Sequence, residues 1–213
     1  MLTVERVTQP ALETLGNGTP LLLVQETPAL QFSRHNPVFL DLAEDFQLFW
    51  MPDMPDRHAG AEICSCWIQY AVEQIGGDVP VLAQAAGILP ACMAAAAPSR
   101  ISRMMLAFPP VMRAPVPRLS TTGLVLVRGD RPASVRRGQD LADAIGDAPV
   151  VVGHAGRDKE NAVAIERSPA WAARPAGMAT VAMLDKISYT LLSEAHLFFS
   201  GKSVYPPLYA TRM

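Results

Sequence analysis

The 213-residue sequence has few charged residues and few cysteines, and both shortages narrow the possible functions. Charged side chains make up 18% of the chain and nearly cancel, with 18 basic and 20 acidic residues, so a nucleic-acid binder that relies on positive charge is not indicated. The three cysteines are an odd number without a disulfide-framework pattern, which predicts a reducing, cytoplasmic location. Half of the residues are hydrophobic, enough for a packed core.

The sequence also shows no pattern typical of a targeting or a membrane-spanning segment. The N-terminus has no basic region followed by an apolar run, so no secretory signal is predicted. Residues 79–98 are uncharged and nearly reach membrane-spanning length, but Pro80, Gly87 and Pro90 interrupt this stretch. A strand, a tight turn and a buried helix fit this stretch better, so we expect no membrane association.

Signatures of cofactors and metals are absent as well. No strand is followed by G-x-G-x-x-G, and no G-x-x-x-x-G-K-[ST] loop occurs, so no nucleotide cofactor is predicted. The pair Cys64 and Cys66 is too closely spaced for a zinc knuckle, and no second pair exists. The polar loop with Asp53, Asp56 and His58 lacks a further ligand, so we expect no metal.

Apolar runs of strand length alternate with helix-type runs, which predicts an α/β fold: a mostly parallel sheet with helices on both faces. The predicted strands are residues 21–24, 46–51, 79–83, 101–108, 124–127 and 149–152. The predicted helices are one that opens at Asn36-Pro37, then residues 59–75, 86–97, 135–145 and 178–199. Residues 2–8 and 11–15 suggest a short antiparallel hairpin, and residues 157–175 look irregular. We expect one domain over residues 1–213.

Helical spacing assigns most side chains of the 59–75 helix to a core stripe or to a polar side. The predicted stripe is Ile63, Cys64, Trp67, Ile68, Ala71, Val72 and Ile75. The polar side contains Glu62, Ser65 and Gln69, with Cys66 toward it. Cys92, in the small-residue helix, is predicted to be a core residue.

Several short segments, in order, resemble the α/β-hydrolase superfamily. Residues 16–24, GNGTPLLLV, resemble the start of that family's first parallel strand, and residues 42–46, LAEDF, resemble its next helix end. Residues 81–87 and 96–101 resemble the strand, turn and helix that carry the nucleophile and the link to the next strand. The resemblance covers about residues 3–157, whereas residues 158–213 diverge.

The same resemblance implies that the family's catalytic groups are missing. Its G-x-S-x-G turn reads Ala83-Gln84-Ala85-Ala86-Gly87 here, which puts the methyl group of Ala85 at the nucleophile position. Gln25-Glu26 stands where the family has His-Gly, next to Thr27. We therefore predict a ligand-binding cleft formed by Gln25, Glu26, Thr27, Gln84, Ala85 and Ala86. Alternatively, the polar side chains satisfy one another in a closed, vestigial pocket.

The acid and the base are displaced as well. Asp130 stands two residues before the family's acid position, and His154 lies three residues before its histidine position. A surviving Asp130–His154 pair could transfer protons without a nucleophile, although a surface histidine near an unrelated aspartate fits the sequence too. Few residues separate the 101–108 strand from the 124–127 strand, too few for a helical cap.

These observations favour a catalytically degenerate α/β-hydrolase-like protein that binds a small molecule or a partner protein. It is expected to form a homodimer that compensates for the missing cap. One alternative is an enzyme that performs cyclisation, elimination or isomerisation, with Asp130 and His154 as catalytic residues. Another is an esterase or thioesterase with a displaced nucleophile.

Overall fold

The structure is a computed structural model that describes residues 11–24, 37–52, 54, 60–112, 114–119, 121–128, 132–145, 150–154, 164–167, 195–196 and 198–200. Its strands are β1 (Glu13–Leu15), β2 (Thr19–Val24), β3 (Phe46–Trp50), β4 (Val79–Gln84), β5 (Ile101–Ala107), β6 (Thr122–Arg128), β7 (Val150–His154) and β8 (Ala164–Arg167). Its helices are α1 (Pro37–Asp45), α2 (Ala61–Ile75), α3 (Ile88–Ala96) and α4 (Pro132–Ile145).

The described strands form one sheet in the order β1-β3-β2-β4-β5-β6-β7-β8. Strands β2 to β7 run parallel, whereas β1 pairs antiparallel with β3 and β8 antiparallel with β7 at the two edges. The central strands are apolar on both sides, as in Leu21 to Val24, where every side chain is buried. Continuous apolar runs are typical of parallel strands that helices cover on both faces.

The strand order places helices on both faces of the sheet. Strand β3 and strand β4 are the two neighbours of β2 in the sheet. The connection from β2 through α1 to β3 therefore runs toward the β1 edge, and the connection from β3 through α2 to β4 runs in the opposite direction. Because parallel crossovers are right-handed, helices that connect strands in opposite directions lie on opposite faces. Helix α1 therefore lies on one face, and α2, α3 and α4 lie on the other. This confirms the fold class predicted from the sequence.

Most predicted elements are confirmed within a few residues, and two predictions are wrong. In α2, Ile63 is 50% exposed, and Ser65 is buried in its place among the core-facing side chains. Residues 157–175 are not wholly irregular, because Ala164–Arg167 forms the edge strand β8. Strand β1 confirms a strand within residues 11–15 and pairs with β3. The predicted hairpin with residues 2–8 stays a prediction, because those residues lie outside the described ones.

The last described residues are helical and pack near the start of β3. Ala195 and Phe199 are buried, and the Phe199 ring contacts the Phe46 ring edge-on at a centroid distance of 6.3 Å. His196 Nδ1 lies 3.0 Å from Asp45 Oδ2 at the end of α1. Arg103 donates from Nη1 to the Phe198 carbonyl oxygen at 3.0 Å. The end of the predicted 178–199 helix is thus confirmed, while residues 178–194 lie outside the described residues.

Within the residues that the structure describes, no helix is both long enough and apolar enough to cross a membrane.

Candidate functional site

The parallel strands end together at one edge of the sheet, where ligands bind in open α/β folds. Strand register defines this carboxyl edge: Val24 of β2 is level with Ala83 of β4, and Gln84 is level with Ala107 of β5. The two residues that follow the Gln84–Ala107 pair on their strands are Ala85 and Phe108. The predicted cleft is therefore centred on the end of β4.

A sharp turn joins β4 to α3 at this edge. Gln84 is extended, with φ −124° and ψ 144°, and Ala85 has φ 49°. Residues 85–87 form one turn of 3-10 helix before α3 begins at Ile88. A left-handed conformation costs an L-residue about 1–2 kcal/mol, so the rest of the structure must hold Ala85 in place. The strained turn predicted by the resemblance is present, with alanine at its apex.

Gly87 lets this turn pack against the end of β2. A Cβ atom added to Gly87 would lie 2.9 Å from the carbonyl oxygen and 2.9 Å from Cγ1 of Val24. Both distances are shorter than a real Cβ contact, and the carbonyl is backbone that cannot easily move. The turn and the last residue of β2 are therefore in direct contact, and Gln25 follows Val24 in the chain.

The turn, residues 84–87, carries no side chain with a nucleophilic hydroxyl or thiol group. Ala85 contributes a half-buried methyl group, and Gln84 beside it is a half-buried amide that can both donate and accept hydrogen bonds. Backbone N–H groups in the first turn of a helix can bind a negatively charged or carbonyl oxygen. Such groups can hold a polar ligand, but none of them replaces a serine hydroxyl.

The other predicted site residues are only partly placed. Gln25, Glu26 and Thr27 lie outside the described residues, as does Asp130, so their roles stay predictions. His154 is the last residue of β7, where its backbone pairs with Ala164 of β8. Arg128 of β6 is level with Gly153 of β7. Strand β7, which carries His154, and strand β6, which precedes Asp130 in the sequence, therefore end at the same edge of the sheet.

The position of His154 in the sheet separates its backbone from the β4 turn. Strands β5 and β6 lie between β4 and β7, and neighbouring strands are about 4.8 Å apart, so the separation of β4 from β7 is about 14 Å. A base must approach its proton donor to about 3 Å. A role for His154 at the β4 turn therefore requires its side chain and the chain after β7 to extend across this distance toward β4.

Sequence reasoning missed one residue at this edge. Phe108 has φ 62°. In the described part of the chain, Phe108 and Ala85 are the two residues other than glycine that have a positive φ. The Phe108 N–H donates to the Leu126 carbonyl oxygen at 2.7 Å, which anchors the turn to β6. Phenylalanine has no preference for this conformation, so only the neighbouring proline pair at 109 and 110 hinted at an unusual strand end.

A concave region lies at the opposite edge of the sheet from the β4 turn. It has a volume of about 540 Å³ and is lined by residues 95–99, Ile101, Ser102 and Thr121, at the end of α3 and the starts of β5 and β6. It is open and contains none of the predicted site residues. Among the described residues, no cluster of three or more His, Cys, Asp or Glu side chains could hold a metal ion.

The buried Cys92 and the exposed Cys66 should differ sharply in reactivity. Cys92 is buried in α3, and burial raises the pKa of its thiol from 9.0 to about 12, whereas Cys66 is exposed. Because the thiolate is the reactive form, a disulfide reagent at pH 8 should label Cys66 quickly and Cys92 only after unfolding. Intact-mass kinetics will measure this, and Cys66→Ser should remove the fast phase. Fast labelling of Cys92 in the folded protein would contradict its buried position.

The raised pKa also predicts a loss of stability at high pH. The unfolded chain releases the Cys92 proton near pH 9, whereas the folded protein keeps it until about pH 12. The contribution of this group to stability is thus complete below pH 9 and falls as the pH rises through that window. Urea unfolding at pH 8 and pH 10 will test this, and Cys92→Ala should lessen the pH dependence.

Comparison with known structures identifies the fold. An α/β hydrolase from Sphaerobacter thermophilus superposes with a TM-score of 0.53 at 18% identity, covering 71% of this chain and 91% of that chain. Dienelactone hydrolase from Anabaena variabilis gives 0.53 at 13% identity, covering 69% and 87%. An α/β hydrolase from the metagenome of Mar Chica lagoon sediments gives 0.55 at 11%, covering 71% and 87%. No family model and no curated protein matches the sequence. Identities this low define a shared fold and nothing finer.

Proposed function

We propose that this chain, which has the α/β-hydrolase fold, binds a small molecule at the carboxyl edge of its sheet without the serine chemistry of that fold. The observation that carries the proposal is Ala85 at φ 49° on the turn between β4 and α3. The geometry that exposes a nucleophile is retained, while the side chain there has no nucleophilic atom. Losing the nucleophile alone removes most of the acceleration that a Ser-His-Asp triad provides.

The retained strain supports a binding role for the turn. Strained residues cluster at functional sites, and here Ala85 is left-handed while Gly87 packs closely on Val24. These contacts hold the first N–H groups of the α3 segment and the Gln84 amide at one place on the sheet edge. In the proposed cleft, Gln25, Glu26, Thr27 and Ala86 complete the ligand-binding surface.

The proposal includes a homodimer, because little of this chain lies between β5 and β6, where the fold often carries a cap. Residues 108–121 connect the two strands, and Val111 among them is 67% exposed. A second subunit would shield this side of the cleft. The alternative is that a different protein binds at the same place. Light scattering at micromolar concentration should give the mass of a dimer, and a monomer would rule the dimer out.

The proposed location of the protein in the cell is the cytoplasm.

A second candidate is an enzyme that performs non-hydrolytic acid–base chemistry. It is supported by the β6–β7 register, which brings His154 and the chain leading to Asp130 to one edge of the sheet. If this candidate is correct, His154→Ala and Asp130→Asn should each abolish turnover, and the pH–rate profile should report a group near neutrality. If the protein only binds its ligand, both variants should bind as the wild type does.

Binding at the turn can be tested with p-nitrophenyl butyrate, whose cleavage and binding are both measurable. We expect saturable binding by saturation-transfer NMR without release of nitrophenol. Ala85→Leu fills the cleft with a larger side chain and should weaken binding at least tenfold. The matched control is Ala96→Leu, because Ala96 is exposed at the other end of α3, beside the cleft at the opposite edge.

The pattern of the two variants decides where the ester binds. Loss of binding in Ala85→Leu alone supports the proposed site. Loss in Ala96→Leu alone would move the ligand to the opposite edge of the sheet and contradict the proposal. Thermal unfolding of both variants will show that each one is folded under the conditions of the binding measurement.

A further inference from the structure

Two strained residues lie next to each other at the carboxyl edge. Gln84 and Ala107 are level on the neighbouring strands β4 and β5, and each is followed directly by a residue of positive φ, Ala85 at 49° and Phe108 at 62°. Adjacent strands are about 5 Å apart, so the two backbones are neighbours. Non-glycine residues in such conformations cluster at functional sites, where the surroundings hold them in place.

The end of β5 and the residues that follow it offer a ligand few polar groups. Residues 104–112 carry no charged side chain and no side chain with an N–H or O–H group. Pro109 and Pro110 have no backbone N–H, and the N–H of Phe108 is already bonded to Leu126. The side chains of residues 108–112 can therefore contact a ligand only through apolar groups, and the polar groups left in this stretch are carbonyl oxygens and the backbone N–H groups of Val111 and Met112.

The same segment is accessible rather than wholly buried. Phe108 and Met112 are half-buried against the core, and Val111 is 67% exposed. On the other side of Ala85, the turn carries the Gln84 amide. The edge is therefore polar at the end of β4 and apolar after the end of β5.

We propose that Phe108, Val111 and Met112 form an apolar wall beside Ala85 that selects ligands with an uncharged hydrocarbon tail. The polar head of such a ligand lies against the β4 turn, and its tail lies along the wall. This inference rests on the proposed function, since it names the ligand class of the same cleft. Phe108 is the specificity-determining residue, because its strained backbone and its bond to Leu126 fix its place next to the turn.

The test is a series of p-nitrophenyl esters with acetyl, propionyl and butyryl chains, in which only the tail changes. Each buried methylene should strengthen binding about fourfold, so the butyrate should bind roughly fifteenfold more tightly than the acetate. Affinities are measured by NMR titration of the folded wild-type protein.

Two variants remove the apolar character of the wall in different ways. Phe108→Asn should flatten the dependence on chain length, and asparagine tolerates positive φ, so the backbone conformation is kept. Val111→Asp changes an exposed side chain, leaves the core intact and should lower the butyrate-to-acetate ratio at least fivefold. The control, Leu40→Asp, places the same charge at a residue of α1 that is 47% exposed, outside the proposed wall, and should leave the ratio unchanged.

The outcomes distinguish failure of the wall from failure of the proposed function. Equal affinities across the series, or a ratio that neither variant changes, would overturn the wall while leaving ligand binding intact. Absence of binding by every ester would overturn both. Release of nitrophenol would overturn the non-hydrolytic function alone, and the chain-length dependence would then be measured in KM.

Discussion

Gly18→Ala is expected to lower the free energy of unfolding by about 3 kcal/mol or more, the upper part of the range for overpacking. A Cβ at this position would lie 1.9 Å from the carbonyl oxygen of Asp45 and 2.8 Å from the backbone nitrogen of Phe46. Both atoms belong to the junction where α1 ends and β3 begins. Because the obstacle is backbone, relief requires β2 and β3 to move apart where the two strands begin.

Urea unfolding measures this effect, and Gly77→Ala is the matched control. Gly77 has φ +70° and no atom within 4 Å of an added Cβ, so its substitution should cost only the backbone term, about 1–2 kcal/mol. Gly18 does not have a positive φ, so its loss of stability comes from the clash, whereas the loss at Gly77 comes from backbone strain. Equal stabilities would show that the close approach of Gly18 to the α1–β3 junction is wrong.

Gly87→Ala should destabilise the protein by about 2 kcal/mol and weaken ligand binding at the turn. The added Cβ would contact the Val24 carbonyl oxygen and Cγ1, both at 2.9 Å, and would push the turn away from β2. The backbone conformation of Gly87, φ −67°, suits alanine. Alanine would therefore stabilise this position by about 0.4–1 kcal/mol if Val24 were not in contact with it.

The sign of the change makes this prediction decisive. A loss of stability, with weaker binding of p-nitrophenyl butyrate, supports the close contact between the turn and β2. A gain in stability would show that the turn has room beside β2, and the proposed cleft would lose the contact that positions it. Circular dichroism of the variant at low temperature will confirm that the native fold is populated.

The buried strands were predictable because their sequence pattern depends on a single physical requirement. Leu21 to Val24 form a short, continuous apolar run, as a strand covered on both faces requires. The ends of α2 were harder to predict. Periodicity places Ile63 on the core stripe, but this residue lies in the first turn of the helix and is half-exposed, while the small Ser65 fits into the interface.

Strand β8 was missed for a different reason. Ala164–Arg167 is short and half-charged, and its place in the sheet depends on the free edge of β7 rather than on its own composition. At the candidate site, the resemblance located the β4 turn and Ala85, and the structure supplied the left-handed backbone there. The positive φ of Phe108 was not predictable, because phenylalanine has no preference for this conformation and the two prolines after it indicate only the end of a strand.

The measurement that tests the central claim most directly is the intact mass of the purified protein after incubation with a fluorophosphonate, with nitrophenol release from p-nitrophenyl esters measured in parallel. Our account predicts no adduct and no turnover above the rate in buffer, since Ala85 has no atom that can attack. A stoichiometric adduct, or ester hydrolysis with a burst, would contradict the account. It would show that another residue acts as the nucleophile, and peptide mapping of the adduct would identify it.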